Sequence, residues 1–354
     1  MKIGILTYHR ANNVGALLQN YALQNVLTLL GHKVETIDYK CSLIEKQNRL
    51  FSFRPLKEWI KLILQLRDYI KRERLFNEFR HNYIKQSGCS YDKSNISQVN
   101  NEYDSFITGS DQVWNMYLNG EDYTYLLDFV ALDKKKIAYA ASFGYTKIPL
   151  PFLDKTLSCL RQFSSISVRE THAVNLLSAY SLPAYSVLDP TLLLSKNQWE
   201  QLVNTKCHDR KFVFVYIVAN TPDLIEAARK KAKQLNCELY VMHYNYAQYK
   251  DCKNIRAASP LDFLTYLYSA EYVFCSSFHA TCFSIIFEKQ FYYALDKAVA
   301  NNNSRLESLC SDLGLLSRNI IYNDESVINY STINTRLSDF VELSYDYLKK
   351  ALMK

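Results

Sequence analysis

The first forty residues alternate between two patterns of apolar side chains, which predict a strand, a helix and a second strand. Residues 2–8 form an apolar run of strand-favouring residues, and residues 13–30 carry apolar side chains at helical spacing before Gly31. A second strand-like run follows directly at residues 33–39. A unit of this kind predicts a parallel sheet with a right-handed crossover.

The same two patterns continue along the rest of the chain. Residues 55–86 form a long amphipathic stretch that predicts a helix. The other predicted strands are 105–108, 136–141, 165–169, 212–218, 238–243, 272–275 and 291–295, and the other predicted helices are 222–235, 260–269, 281–288 and 333–352. Two series of strands and helices indicate an α/β protein with two doubly wound, Rossmann-like domains and a cleft between them.

The length of the chain also favours two domains. Its 354 residues exceed one average domain, and hydrophobic residues make up 48% of them, which is enough for two cores. We place an N-terminal domain at residues 1–190 and a C-terminal domain at residues 195–330. The final helix, at residues 333–352, is expected to pack back on the N-terminal domain.

The net charge and the cysteine content indicate which classes of ligand and which cellular compartment to expect. The net charge of +7 suits anionic small molecules or an anionic membrane surface, whereas the absence of a dense Lys/Arg stripe argues against nucleic acid. The nine cysteines are scattered and include no C-x-x-C pair, which is typical of reduced thiols in a cytosolic protein. Because no apolar run is long enough for a membrane span or a signal peptide, we expect a cytoplasmic protein.

Two polar loops of the first domain follow predicted strands, where open parallel sheets bind ligands. The loop after the first strand contains Asn12 and Asn13, which suit hydroxyls or an anion, or else form a capped turn without a ligand. A later loop contains Asp111, which can accept a proton, and Trp114, which can pack on a sugar ring. Alternatively, the polar residues of this loop cap a helix and Trp114 belongs to the core.

A third loop, after the apolar strand at 272–275, carries the strongest signal for chemistry. Ser276, Ser277 and His279 place two hydroxyls and an imidazole at the start of an apolar helix. Helix N-terminal amides attract phosphate or carboxylate, and a histidine can exchange a proton near neutral pH. A structural role for His279 is the alternative.

Two arginines are candidate anion clamps, because a guanidinium can grip a carboxylate or phosphate through two parallel hydrogen bonds. Arg169 ends a predicted strand, and Arg305 follows an asparagine-rich run. The alternative for Arg169 is an ion pair with Glu170 or another surface carboxylate. The chain has no G-x-G-x-x-G loop, no P-loop motif and no metal-ligand spacing, so we expect neither a nucleotide cofactor nor a metal.

Taken in order, these segments resemble the polysaccharide pyruvyl transferase family. The matching pieces are NNVGALLQNYALQ (12–24), TGSDQVWN (108–115), SISVRE (165–170), VLDPTLLL (187–194), SSFHATCFSIIF (276–287) and NSRLESL (303–309). The resemblance implies the GT-B architecture, in which two Rossmann-like domains face a cleft. It also implies transfer of pyruvate from phosphoenolpyruvate to sugar hydroxyls, commonly as a cyclic ketal, in bacterial synthesis of capsule, exopolysaccharide or wall polymers.

The resemblance also implies roles for particular residues. It assigns Arg169 to donor contact and His279 to proton transfer, with phosphoenolpyruvate as co-substrate and no cofactor. Some branches of the family carry an arginine where this chain has Ser277, so Arg305 or Lys289 would have to complete the anion clamp. We expect the donor to contact Arg169, Ser276, Ser277 and Arg305. We expect the sugar acceptor, taken to be lipid-linked, to contact Asn12, Asn13, Asp111 and Trp114.

Two competing functions remain open. A nucleotide-sugar glycosyltransferase would share the fold, and a non-catalytic scaffold of a polysaccharide-assembly complex would not need His279. The predicted helix at 55–86 is basic and amphipathic, which predicts peripheral contact with the anionic inner face of a membrane. It is equally typical of a domain helix with a solvated basic face.

Overall fold

The structure, a computed structural model, contains two parallel β-sheets and confirms the predicted α/β class. It describes residues 1–48, 56–204, 210–219, 221–244, 248–296 and 304–353, with residues 48 and 56–65 described by their backbone alone. The chain divides into two compact units. Unit 1 comprises Met1–Ser52, Arg80–Leu193 and Ser338–Lys354, and unit 2 comprises Phe53–Phe79 and Leu194–Leu337.

Seven parallel strands form the sheet of unit 1, in the order β3-β2-β1-β4-β5-β6-β7. They are β1 (Lys2–Leu6), β2 (Lys33–Tyr39), β3 (Gln86–Tyr91), β4 (Ser105–Thr108), β5 (Lys135–Ala141), β6 (Ser165–Val168) and β7 (Tyr185–Ser186). The helices between them in the chain are α1 (Val14–Leu29), α2 (Ser42–Asn48), α3 (Leu56–Tyr83), α4 (Met116–Asn119), α5 (Leu150–Leu160) and α6 (Thr171–Ser178). Of these, α3 belongs to unit 2 as far as Phe79. Because the strand order reverses between β1 and β4, the loops after these two strands lie at the topological switch point, where such sheets bind ligands.

Five parallel strands form the sheet of unit 2, in the order β10-β9-β8-β11-β12. They are β8 (Phe212–Ile217), β9 (Glu238–His243), β10 (Lys253–Ile255), β11 (Tyr272–Cys275) and β12 (Gln290–Tyr293). The helices are α7 (Lys196–Glu200), α8 (Pro222–Gln234), α9 (Pro260–Ser269), α10 (Phe278–Ile286) and α11 (Ser304–Asp312). The last helix of the chain, α12 (Tyr330–Met353), begins in unit 2 and belongs to unit 1 from Ser338 onward. The switch point of this sheet lies between β8 and β11, so the loop that precedes α10 lies directly at it.

Local sequence explains where the main helices begin and end. The side-chain oxygen of Asn13 accepts a hydrogen bond from the amide of Ala16 at 3.2 Å and so caps α1. Gly31 ends that helix with a φ of 86°, a value that glycine adopts without strain. At the start of α9, Ser259 and Asp262 bond reciprocally to each other's backbone amides.

The predicted stretch at 55–86 is helical over most of its length, as α3, but a strand that was not predicted follows it. Only two of the six residues of β3 are buried, and three consecutive ones are exposed. Such a polar segment has no apolar alternation, because it forms the edge of the sheet rather than its core. No helix in the described part of the chain is long and apolar enough to cross a membrane.

A largely buried ionic cluster joins the carboxyl ends of β1, β2 and β3. The Asp38 carboxylate lies 2.9 Å from Nε2 of His9 and 2.7 Å from the Arg10 guanidinium, and it accepts a hydrogen bond from Ser90. Nδ1 of His9 faces the carbonyl oxygen of Thr7 at 3.2 Å. Burial alone would raise the pKa of Asp38, but the hydrogen bonds from His9 and Ser90 outweigh burial and hold the pKa well below its usual range.

We expect Asp38→Asn to lower the free energy of unfolding at neutral pH. A carboxylate with a depressed folded-state pKa stabilises the protein above its unfolded-state pKa, about 4, and this stabilisation is lost as the pH falls below that value. The substitution should therefore also flatten the acid-induced decline in stability below about pH 4. Urea denaturation over a pH series measures both effects, and Asp133→Asn, at an exposed position, is the control. An acid dependence identical to that of the unsubstituted protein would contradict the assignment.

Candidate active site

The loop after β4 lies at the switch point of unit 1, and a glycine shapes it. Gly109 has a φ of 124°, and a Cβ atom there would lie 2.0 Å from the carbonyl oxygen of Tyr139, so only glycine fits. The Asp111 carboxylate accepts a hydrogen bond from the amide of Gln112 at 2.8 Å, and the Asp111 carbonyl oxygen accepts one from the amide of Ser142 at 3.1 Å. Asp111 is therefore fixed at the sheet edge, where its carboxylate is partly exposed.

Trp114, in the same loop, is completely buried. Its indole N–H donates to the carbonyl oxygen of Tyr125 at 3.2 Å, and its ring packs edge-on against Phe163. A large ring gains most by leaving water, and its one polar atom already has a backbone partner. The predicted contact between Trp114 and a sugar ring is therefore not available in this structure, and the core alternative describes the residue.

Arg169 forms a buried ion pair at the same edge of the sheet. Its side chain is 2% exposed, and it lies 3.0 Å from the carboxylate of Asp189 and 3.8 Å from that of Asp111. Burial lowers the pKa of the guanidinium, but Asp189 and Asp111 outweigh it and hold the pKa above its ordinary value. Arg169 thus forms an ion pair, but with the buried Asp189 rather than with Glu170 or a surface carboxylate, and its contact with a donor stays a prediction.

Asp189, which was not predicted as a site residue, is the centre of this network. One of its oxygens accepts hydrogen bonds from Arg169 at 3.0 Å and from the hydroxyl of Ser110 at 2.8 Å. The other accepts from the amide of Thr191 at 3.0 Å and from its hydroxyl at 2.8 Å. Four bonds to one buried carboxylate thus join the segments that follow β4, β6 and β7. The sequence feature that could have identified Asp189 is its position as an aspartate within the mostly apolar segment 187–194.

The predicted acceptor residues Asn12 and Asn13 lie in the loop after β1. The Asn13 oxygen caps α1, and the Asn12 oxygen accepts a hydrogen bond from Arg80 at 3.1 Å. Asn13 is exposed and Asn12 is half-buried. The capped-turn alternative accounts for the Asn13 oxygen, and contact of either side chain with an acceptor stays a prediction.

In unit 2, Ser276 joins the two strands at the switch point. Its hydroxyl oxygen accepts hydrogen bonds from the amides of Val218 at 3.1 Å and Ala219 at 3.2 Å, which follow β8, while Ser276 itself follows β11. These two bonds use the oxygen of the hydroxyl and leave its hydrogen to other acceptors. Ser276 therefore fixes the loop before α10 and also presents a donor at the edge of the sheet.

His279 and Arg305 lie near the ring of Phe278, and Ser277 directly precedes Phe278 in the chain. His279 lies in the first turn of α10, is 8% exposed, and has its ring centroid 5.2 Å from that of Phe278. Arg305 lies in the first turn of α11, with its guanidinium carbon 6.0 Å from the Phe278 ring centroid. Ser277 is the N-cap residue of α10, and its side chain makes no cap bond. The structure thus brings an imidazole, a guanidinium and an N-terminus of a helix together in unit 2.

Lys289 lies at the other end of α10 and cannot complete this anion clamp. It directly precedes β12, so it is at the amino edge of the sheet, whereas Ser277 is at the carboxyl edge. Its ammonium donates to the carbonyl oxygen of Ala270 at 3.1 Å, and burial lowers its pKa. Of Arg305 and Lys289, only Arg305 lies near the start of α10 and can compensate for the absence of an arginine at position 277.

We expect Asp189→Ala to destabilise unit 1 strongly. Removing one partner of a buried ion pair leaves the other charge uncompensated, which costs about 3–5 kcal/mol. Urea denaturation measures the change in the free energy of unfolding. The matched control is Glu238→Ala, which breaks an exposed ion pair with Arg210 of similar length, 2.8 Å, and should cost far less. Equal losses in the free energy of unfolding would show that burial does not increase the contribution of the Asp189 ion pair to stability.

Comparison with known proteins identifies a family that the chain matches. A family model described as polysaccharide pyruvyl transferase matches residues 13–295. A search of curated proteins finds no match.

Two solved structures have a fold similar to that of this chain. A protein assigned as a UDP-N-acetylglucosamine 2-epimerase from Listeria monocytogenes is 10% identical, with a TM-score of 0.51 over 98% of this chain and 90% of that one. The MnaA protein of S. aureus in complex with UDP is 11% identical, with a TM-score of 0.50 over 99% of this chain and 91% of that one. At such low identity the likeness concerns the fold alone, and it confirms the predicted two-domain, Rossmann-like organisation. Because the family model spans well over half of its length, the chain belongs to the polysaccharide pyruvyl transferase family.

Proposed function

We propose that the chain transfers pyruvate from phosphoenolpyruvate to hydroxyls of a sugar acceptor during synthesis of capsule, exopolysaccharide or wall polymer. The observation that carries the proposal is the convergence of His279, Arg305 and the N-terminus of α10 around Phe278. These groups match the parts of phosphoenolpyruvate, which has two anionic groups a few bonds apart and a carbon that must gain a proton.

The donor is assigned to unit 2 because its charges fit that edge of the sheet. The N-terminus of a helix carries about half a positive charge and presents backbone N–H groups, which suit a phosphate. The Arg305 guanidinium suits the carboxylate, since its planar fork matches two oxygens. The hydroxyls of Ser276 and Ser277 supply further donors beside the same helix start.

His279 is assigned as the acid that starts the reaction. Its imidazolium donates a proton to the methylene carbon of phosphoenolpyruvate, and the adjacent carbon becomes cationic. A sugar hydroxyl oxygen bonds to that carbon, and the bond from that carbon to the phosphate oxygen then breaks. A second hydroxyl closes the ketal. Of the two hydroxyl protons released, one restores the imidazolium and the other leaves on the phosphate, so the sum of the reaction is balanced.

The acceptor is assigned to unit 1 because that edge is rich in carboxylates. Asp189 and Asp111 already neutralise Arg169, so little positive charge remains there for an anionic donor. The partly exposed Asp111 carboxylate is suited to accept a hydrogen bond or a proton from a sugar hydroxyl. Asn12, after β1, is a further candidate for hydroxyl contact, and Trp114 supports the loop from within the core.

A nucleotide-sugar glycosyltransferase is the second candidate, because solved structures with the same fold include one in complex with UDP. The two candidates differ in the ligand that should bind, which makes binding the first experiment.

Phosphoenolpyruvate should raise the melting temperature of the protein in a concentration-dependent way, as ligand linkage requires. Arg305→Gln should weaken this effect about tenfold or more, since a charge-assisted contact is lost. The control is Arg210→Gln, an exposed arginine of the same unit, which should bind as before. Stabilisation by a uridine or cytidine nucleotide sugar, with none by phosphoenolpyruvate, would favour glycosyl transfer.

His279→Ala should lower kcat by about 10²–10⁴-fold, the usual contribution of a general acid, while phosphoenolpyruvate still stabilises the variant. Phosphate release from phosphoenolpyruvate in the presence of a panel of saccharide acceptors, free and lipid-linked, measures the rate. His81→Ala removes an exposed imidazole and serves as the matched control. An unchanged rate in folded His279→Ala protein would remove His279 from the mechanism.

A further inference from the structure

The inner face of α3 is firmly attached to unit 2. The Arg72 guanidinium carbon lies 4.8 Å from the centre of the Tyr244 ring and 5.3 Å from that of Tyr69. Phe76 is completely buried and packs edge-on against Tyr244 at 6.2 Å. These contacts fix the rotation of the helix about its axis, so the residues on its opposite face point away from the core.

That opposite face of α3 displays three cations around an exposed apolar side chain. Arg67, Lys71 and Arg74 recur at helical spacing and are all exposed, and Ile70 is 52% exposed among them. Together with Leu66 they line a shallow surface groove. Arg74 lies 3.4 Å from the Glu78 carboxylate, an exposed pair that neutralises only part of the charge. We call these five residues, 66, 67, 70, 71 and 74, the basic face of α3.

The inner face of α3 packs at the edge of the sheet that also carries the candidate donor site. Tyr244, on which α3 packs, directly follows β9, and Ser276 directly follows β11. Both strands pair with β8 in parallel, so both residues lie at the carboxyl edge of the same sheet. The helix that carries the basic face is therefore attached to unit 2 at the sheet edge where the donor is proposed to bind.

We propose that the basic face of α3 binds an anionic lipid bilayer. Cations beside an exposed aliphatic side chain are the combination that membrane-surface helices use: the charges approach acidic headgroups, and the apolar group enters the interface. Attraction of this kind acts over about one Debye length, roughly 10 Å at moderate salt, so it weakens as the ionic strength rises. The proposal goes beyond the proposed reaction and does not depend on it. Pro55 and the side chains of 56–65, part of the predicted basic helix, lie outside the described residues and carry none of the argument.

Flotation of the full-length protein with lipid vesicles tests the proposal without measuring any catalysis. We expect the protein to float with vesicles that contain phosphatidylglycerol at low salt, and to be released at high salt or with vesicles of phosphatidylcholine alone. Arg67→Glu combined with Lys71→Glu should reduce the bound fraction about tenfold or more, because two attractive charges become repulsive. The milder pair Arg67→Gln and Lys71→Gln should give an intermediate loss.

The matched control is Lys230→Glu combined with Lys233→Glu, two exposed lysines on α8 of the same unit. This variant has the same net charge as the Arg67→Glu, Lys71→Glu variant, so retained binding would show that the position of the charges matters. Circular dichroism verifies that each variant is folded. The proposal is overturned if no protein floats with phosphatidylglycerol at low salt, or if the control loses binding equally. Binding to a soluble acidic polysaccharide but not to vesicles would also overturn it.

Discussion

The carboxyl edge of unit 1 depends on one buried carboxylate. Asp189 is enclosed, and a charge in such a place is tolerated only when its hydrogen bonds are complete. The four bonds that it accepts define where the guanidinium of Arg169 and the loop of Ser110 must lie. Asp111 takes its position from the same arrangement, since it directly follows Ser110 and lies 3.8 Å from Arg169. The partly exposed carboxylate of Asp111 is thus oriented by the buried carboxylate of Asp189.

The two units use different means to make their sheet edges polar. In unit 1 the polarity comes from side-chain charges that compensate one another, and the result is a rigid surface with little net attraction for anions. In unit 2 it comes from backbone amides at the start of α10 and from one arginine, with Ser276 joining the neighbouring strands. Backbone amides hold fixed positions, so they present hydrogen-bond donors without any cost in side-chain entropy.

The sequence predicted the architecture better than it predicted the roles of single side chains. The α/β class and the Rossmann-like organisation follow from apolar periodicity, because burial on both faces of a parallel sheet leaves a strong signal. Edge strand β3 carried no such signal, since most of its residues face water. The loops of the candidate site were located correctly at strand ends, but burial decides which of their side chains are accessible. Trp114 and Arg169 look like ligand-binding residues in a sequence but are enclosed in the fold. The sequence pattern did not show this, because their partners, such as Asp189, are distant along the chain.

The dimensions of the sheet edges have a consequence for how copies of the protein behave at high concentration. A free strand edge exposes unpaired N–H and C=O groups and can act as a template for another chain. Here three of the four outermost strands are short or polar: β7 and β10 contain only two and three residues, and β3 presents mostly polar side chains. The fourth, β12, is apolar, but three of its four residues are buried. Short or polar edges offer too few aligned groups, and too little apolar surface, to nucleate intermolecular β-structure. The short length of β7 and β10 and the polar side chains of β3, which left these three strands unpredicted, therefore also protect the native protein against aggregation.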